Sequence, residues 1–317
     1  MMLVGGIVLS NILPLRIWQQ IHLVESDTGF WAVSNHATIW LLYIAMGLLL
    51  LPPLVAGLMQ RNKIAVDLTR RPRMAEGVVA AIAAIGVAVG VAAALYFALS
   101  VFTGSATVAD IQQPAENTMR YFIRTGAMAA LLEALFGVGA AIFFCNLAVV
   151  NFMAHERVYV SRLLALMPVL WVVCRILRRF SRTISYLRVS DLFITLAALV
   201  LLMIFLMAFA QVLSGVNADK KEWRLLAAGI PAAALLLLGF LPRLVAYNFM
   251  DGLVPSQDAV IEWADPAIAL FIAVFLFGRL RKKELALTPA EEQVPEPEEA
   301  PSPQEEQDPE PEIEAEA

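Results

Sequence analysis

Long apolar blocks alternate with short polar segments along nearly the whole chain. A helix needs about 20 apolar residues to cross the hydrocarbon core, and a spanning backbone must satisfy its own hydrogen bonds, so such blocks predict helices directly. Six blocks predict full spans: 2–23, 38–59, 77–102, 125–153, 191–214 and 225–249. The first of them is interrupted by Asn11, Arg16 and Gln19. Two shorter blocks, 163–174 and 267–278, are only 12 residues each, a length that suits re-entrant or interfacial helices as well as spans. The expected fold is therefore all-α, a polytopic transmembrane helix bundle of six spans plus two short membrane helices.

The two short blocks decide the topology. If all eight helices cross with the N-terminus inside, 14 Lys and Arg face the cytoplasm and 9 face outward. If neither short block crosses, the split becomes 17 and 6. Charge counting prefers the second arrangement, because the first puts Arg175, Arg178, Arg179, Arg182 and Arg188 outside. Both arrangements place both termini in the cytoplasm. Trp18, Trp31, Trp40, Trp223 and Trp263 sit near block ends, as amphipathic indoles at headgroup level do, whereas Trp171 lies inside a short block.

Composition agrees with this reading and divides the chain in two. Hydrophobic residues make up 60% and charged residues 16%, more apolar surface than one soluble core buries. From Glu284 onward there are 13 acidic residues and no basic one, so the remaining body carries 23 basic against 15 acidic groups, a net of +8. Residues 1–283 read as the membrane domain. Residues 284–317, rich in Pro and Glu, have too little apolar surface to offset the entropy of ordering and read as a disordered, solvated cytoplasmic tail. The N-terminus has no basic segment before its apolar block, so the first helix is expected to remain in the mature protein.

The candidate chemistry is sparse. Glu133 lies about two turns into the fourth span, on a face with Gly126, Ala130, Ala134, Gly137 and Ala141 that would pack against another helix. An intramembrane carboxylate is costly, and it serves either as a hydrogen-bonded packing group or as an ion or substrate site. Arg175, Arg178, Arg179 and Arg182 recur at helical spacing opposite Ile176, Leu177, Phe180 and Ile184, a basic amphipathic stripe. Lying on the cytoplasmic surface, it would act as a topology anchor or hold anionic lipid headgroups. Gly86, Gly90 and Ala94 give a small-residue face for close helix approach. Prolines 52, 53, 168, 231 and 242 break or end apolar blocks, as kinks or as the broken helices of transporters.

Cys145 and Cys174 read as packing residues, and His22, His36 and His155 form no zinc-ligand pattern. No phosphate-binding loop or nucleophile elbow is present, so no catalytic residue, metal site or cofactor is expected.

Arg16-Ile17-Trp18 leading to Asp27-Thr28-Gly29-Phe30, then Pro168-Val169-Leu170-Trp171 before an Arg-rich segment and another span, resembles uncharacterised polytopic membrane proteins of clostridia-type bacteria. The resemblance implies a bacterial cytoplasmic membrane and transfers no site residue. Three function classes follow: an accessory membrane subunit that binds a membrane-protein partner, foremost; a small-solute or ion transporter using Glu133; and an enzyme acting on lipid-linked substrates. The expected partners are the lipid bilayer, anionic lipids and such a membrane protein, with no nucleic acid.

Overall fold

The computed structural model describes residues 2–24, 31–32, 36–59, 64–66, 74–104, 118–153, 161–181, 192–214, 222–249 and 262–282. The tail and Arg182 lie outside these residues. Helices α1 (Met2–His22), α2 (Ala37–Met59), α3 (Met74–Phe102), α5 (Ala127–Phe152), α7 (Leu192–Leu213) and α8 (Glu222–Phe249) match the six long blocks. Five of them, α2, α3, α5, α7 and α8, are long and apolar enough to cross a membrane. In α1 the apolar run is interrupted by Asn11, Arg16, Gln19 and Gln20, and the last three of these are buried. A short helix, α4 (Thr118–Arg124), precedes α5, with Gly126 between them in a left-handed conformation (φ 76°) that glycine adopts without strain.

The two short blocks extend beyond their apolar limits. Helix α6 (Arg162–Ser181) has 20 residues and α9 (Ala264–Arg279) has 16, lengths of about 30 and 24 Å at 1.5 Å per residue. Helix α6 runs antiparallel to α5: Met167 packs beside Gly139, Trp171 beside Gly137, and Arg178 reaches Glu133. Helix α9 runs antiparallel to α3, with Ala264 and Ala267 beside Gly86 at its start and Arg279 on Glu76 at its end. Beyond α9, β2 (Leu280–Lys282) pairs antiparallel with β1 (Ile64–Val66), Ala65 opposite Arg281.

Helix α9 occupies the seam of the bundle. It packs on α3 along one side and on α8 along another, while α8 also contacts α1, α2 and α7. Helix α8 is accordingly the most enclosed of the long apolar helices, 67% of its apolar window being buried against 33–44% in the others. Midway along α9, Phe271 and Phe275 meet Phe144 of α5 and Phe205 and Phe209 of α7, with ring centroids as close as 4.9 Å. These aromatic contacts fill the interior between two ionic layers at the ends of α9. Leu41, Ile44, Leu48, Leu51 and Leu58 of α2 point outward, as they do on a helix solvated by lipid.

The α3–α9 contact depends on absent side chains. A Cβ at Gly86 would lie 2.7 Å from the Ala267 Cβ and 3.0 Å from the Trp263 carbonyl oxygen, neither of which can rotate away. Thus the small-residue face of α3 serves packing within this chain. Gly86→Ala should destabilise the bundle by about 1–3 kcal/mol through overpacking. Gly47→Ala in α2, where a Cβ meets nothing within 4 Å, is the control and should stay within about 0.5 kcal/mol of wild type in reversible SDS unfolding. Equal stability of the two variants would contradict this packing account.

Candidate functional site

Glu133 is buried, and the structure brings it together with the arginines of α6 rather than leaving the two features separate. The Arg178 Nε lies 3.0 Å from Glu133 Oε2. The contact is Coulombic rather than an aligned hydrogen bond, since Oε2 has no hydrogen-bonding donor in good geometry among the described residues. Ala130, Ala134 and Gly137, on the same face of α5, are buried with it.

Two further carboxylates complete the cluster, and both come from the start of α9. Glu262, two residues before the helix, takes an ion pair from Arg175 on Oε2 and hydrogen bonds from Arg178 Nη2 (3.0 Å) and Arg179 Nη2 (2.8 Å) on Oε1. Asp265, in the first turn of α9, pairs with Arg175 Nη1 at 2.8 Å. Arg175 is 3% exposed and lies 5.0 Å above the Trp171 ring, where the electron-rich face attracts a cation. Arg175, Arg178 and Arg179 thus face the carboxylates of Glu133, Glu262 and Asp265.

Helix polarity reinforces this arrangement. Arg178 and Arg179 occupy the last turn of α6, where the helix dipole favours cations, and Asp265 occupies the first turn of α9, where it favours anions. The amphipathic stripe of α6 is therefore turned the other way from the surface-lying helix expected from sequence. Its arginines face the carboxylates inside, and Leu177 and Phe180 are exposed. Burying charges is tolerable only when they are paired, and this network pairs each of its charges with residues from three elements, the aligned hydrogen bonds being those of Arg178 and Arg179 to Glu262.

The cluster sits inside the apolar length of the neighbouring helices. Glu133 is six residues, or about 9 Å, along α5 from its start. A cavity of about 30 Å³ lies beside it, lined by Gly90 and Ala93 of α3 together with Glu133, Trp171, Arg178 and Glu262. That volume accommodates a water molecule or two. Trp171 is 1% exposed, and its indole Nε1–H, at this cavity, has no hydrogen-bond partner among the described residues. A second cavity, of about 20 Å³, borders Glu262 and Asp265 from the other side and is lined by Thr195 of α7 and by Gly239 and Arg243 of α8. Glu262 is common to both.

At the far end of α9, Arg279 holds Glu76 of α3 through Nε and Nη2 at 2.7–3.0 Å, with both side chains 6% exposed. Asp265 and Arg279 are 14 residues apart, so the two ionic layers are separated by about 21 Å. His22 and His36 lie away from both layers, flanking Trp18, and His36 Nδ1 is engaged with the Thr38 hydroxyl at 2.8 Å.

No protein-family model, curated protein or solved structure matches this chain.

Sequence reasoning found Glu133 from the cost of an intramembrane carboxylate and found Arg175, Arg178 and Arg179 from their spacing. It missed Glu262, Asp265, Glu76 and Arg279 as site residues. The signal for a buried role of α6 was Trp171, an indole in the middle of a membrane segment rather than at its edge.

Proposed function

We propose that this chain is a multi-pass protein of a bacterial cytoplasmic membrane, with both termini cytoplasmic, that moves a small polar or charged solute or ion through the Glu133 site. The single observation that carries the transport reading is the charged cluster itself. Six ionisable side chains form the cluster, and four of them, Glu133, Arg175, Arg178 and Glu262, line a small cavity within the apolar length of α3 and α5; ionisable groups at that depth mark solute or ion pathways by default. The aromatic layer of Phe271, Phe275 and Phe209 beneath it is a natural barrier on the other side of the site.

The orientation rests on charge. With α6 and α9 both running antiparallel to long helices, the eight-helix arrangement with 14 basic residues inside and 9 outside becomes the natural one. Its apparent defect disappears once Arg175, Arg178 and Arg179 are counted as paired with carboxylates rather than as free outward cations. The bacterial membrane follows from the resemblance alone. The accessory-subunit reading leans on exposed helix faces and on the tail, which lies outside the described residues, and the lipid-linked enzyme reading leans on an arginine surface of which Arg175, Arg178 and Arg179 are engaged internally.

The test is permeation. Proteoliposomes carrying the full chain would be mixed rapidly with a panel of small salts, organic acids and amines, and volume recovery followed by light scattering. Wild type should pass at least one solute faster than protein-free vesicles, and Glu133→Gln, purified in normal yield, should abolish that difference. Wild-type vesicles no more permeable than empty ones to every solute would overturn the proposal.

A further inference from the structure

Glu262 is the most heavily subscribed acceptor in the cluster. Three guanidinium groups converge on its two oxygens, from Arg175, Arg178 and Arg179. A planar carboxylate offers about four lone-pair sites, and arginine forks match that geometry, which is why converging arginines are the usual receptor for oxyanions. The arrangement is that of an anion site with its anion supplied by the chain.

Three observations separate an exchangeable occupant from a fixed strut. Glu262 is not on a helix: it stands two residues before α9 begins. Arg175 also pairs with Asp265 and Arg178 with Glu133, so these parts of the receptor keep a countercharge when its occupant leaves. Glu262 also forms part of the wall of both cavities, the one at Trp171 and the one at Arg243, so its withdrawal would enlarge the space between them.

We propose that Arg175, Arg178 and Arg179 form an oxyanion-binding site whose resident ligand is the Glu262 carboxylate, and that a small carboxylate or phosphate group displaces Glu262 to occupy it. This rests on the transport reading and gives its substrate class: a small oxyanion. Withdrawal of Glu262 leaves the cluster one unit more positive, a change that one monoanion offsets. The exchange is like for like, so the arginines are never left without a countercharge at a depth where that would be costly.

The experiment measures anion affinity of the purified full chain in detergent by thermal unfolding against sodium acetate or inorganic phosphate, with sodium chloride as the ionic-strength control. Glu262→Gln removes the competing charge while keeping size and acceptor oxygen, and should bind acetate or phosphate about tenfold tighter than wild type or better. Adding Arg179→Gln to that variant should erase the gain. Glu262→Asp, one methylene shorter and still charged, is the second variant if Glu262→Gln does not fold, and it should show a smaller gain in the same direction.

Native mass spectrometry of the same samples separates the sources of the anion. A gain for acetate or phosphate assigns the site to free solutes; one phosphatidylglycerol retained per Glu262→Gln chain and lost with Arg179→Gln assigns it to a lipid headgroup of the same chemistry. A folded Glu262 variant that gains neither overturns the proposal. That failure, alongside vesicles that pass only cations and stop doing so in Glu133→Gln, would leave transport standing. An affinity gain in a protein that passes no solute would keep the oxyanion site and sink transport.

Discussion

Replacing Arg279 by glutamine should lower the stability of the bundle by about 3–5 kcal/mol, because it strands the Glu76 carboxylate in the interior without a countercharge. Arg279 Nε donates to both Glu76 oxygens (3.0 and 2.8 Å) and Nη2 lies 2.7 Å from Oε2, and neither side chain is more than 6% exposed. The double variant Glu76→Gln, Arg279→Gln removes both charges and should recover most of the loss, since the single variant's cost is the unpaired charge rather than the lost attraction. Reversible SDS unfolding of the two single variants and the double variant closes the cycle. A double variant no more stable than Arg279→Gln would show that the contact is worth its attraction and not its neutralisation. The effect is large because the pair anchors the end of α9 to the start of α3, next to the strand that closes on β1.

The helices were legible because lipid simplifies the problem. Where the backbone can satisfy itself only as a helix, an apolar run such as that of α7 reports its own limits, and the observed Leu192–Leu213 lies within one residue of the run at each end. Helices α6 and α9 were harder to read. Arg175, Arg178 and Arg179 end the apolar run of α6 in sequence, yet the helix continues through them because their charge is cancelled in space. Charge counting treats each arginine as free, so it penalised the arrangement in which α6 traverses the bundle.

The site was legible by half for the same reason. Glu133 is conspicuous because nothing near it in sequence explains a carboxylate there. Glu262 and Asp265 flank Trp263 at the edge of an apolar block, where acidic residues normally face water, so their sequence context hides them. Their partners lie 83 or more residues away in the case of Glu262, and Glu76 and Arg279 are 203 apart. No local pattern encodes such pairings; they appear only when α9 is placed in the seam between α3 and α8.

Arg175 is the residue on which the cluster depends most, and Arg175→Gln should cost about 3–5 kcal/mol in the same unfolding measurement, as breaking a buried ion pair does. Its guanidinium joins two carboxylates at the start of α9, Glu262 and Asp265, and it also rests on the Trp171 face at 5.0 Å. Its loss removes one positive charge from beside Glu262 and Asp265 in the interior. Arg175→Lys restores the charge but not the planar fork or the stacking, so it should recover only part of the stability. That partial recovery divides the role of Arg175 into charge and geometry. Full rescue by lysine would mean that neutralisation alone holds the start of α9 against α6; no rescue at all would mean that the fork and the indole stacking do the holding.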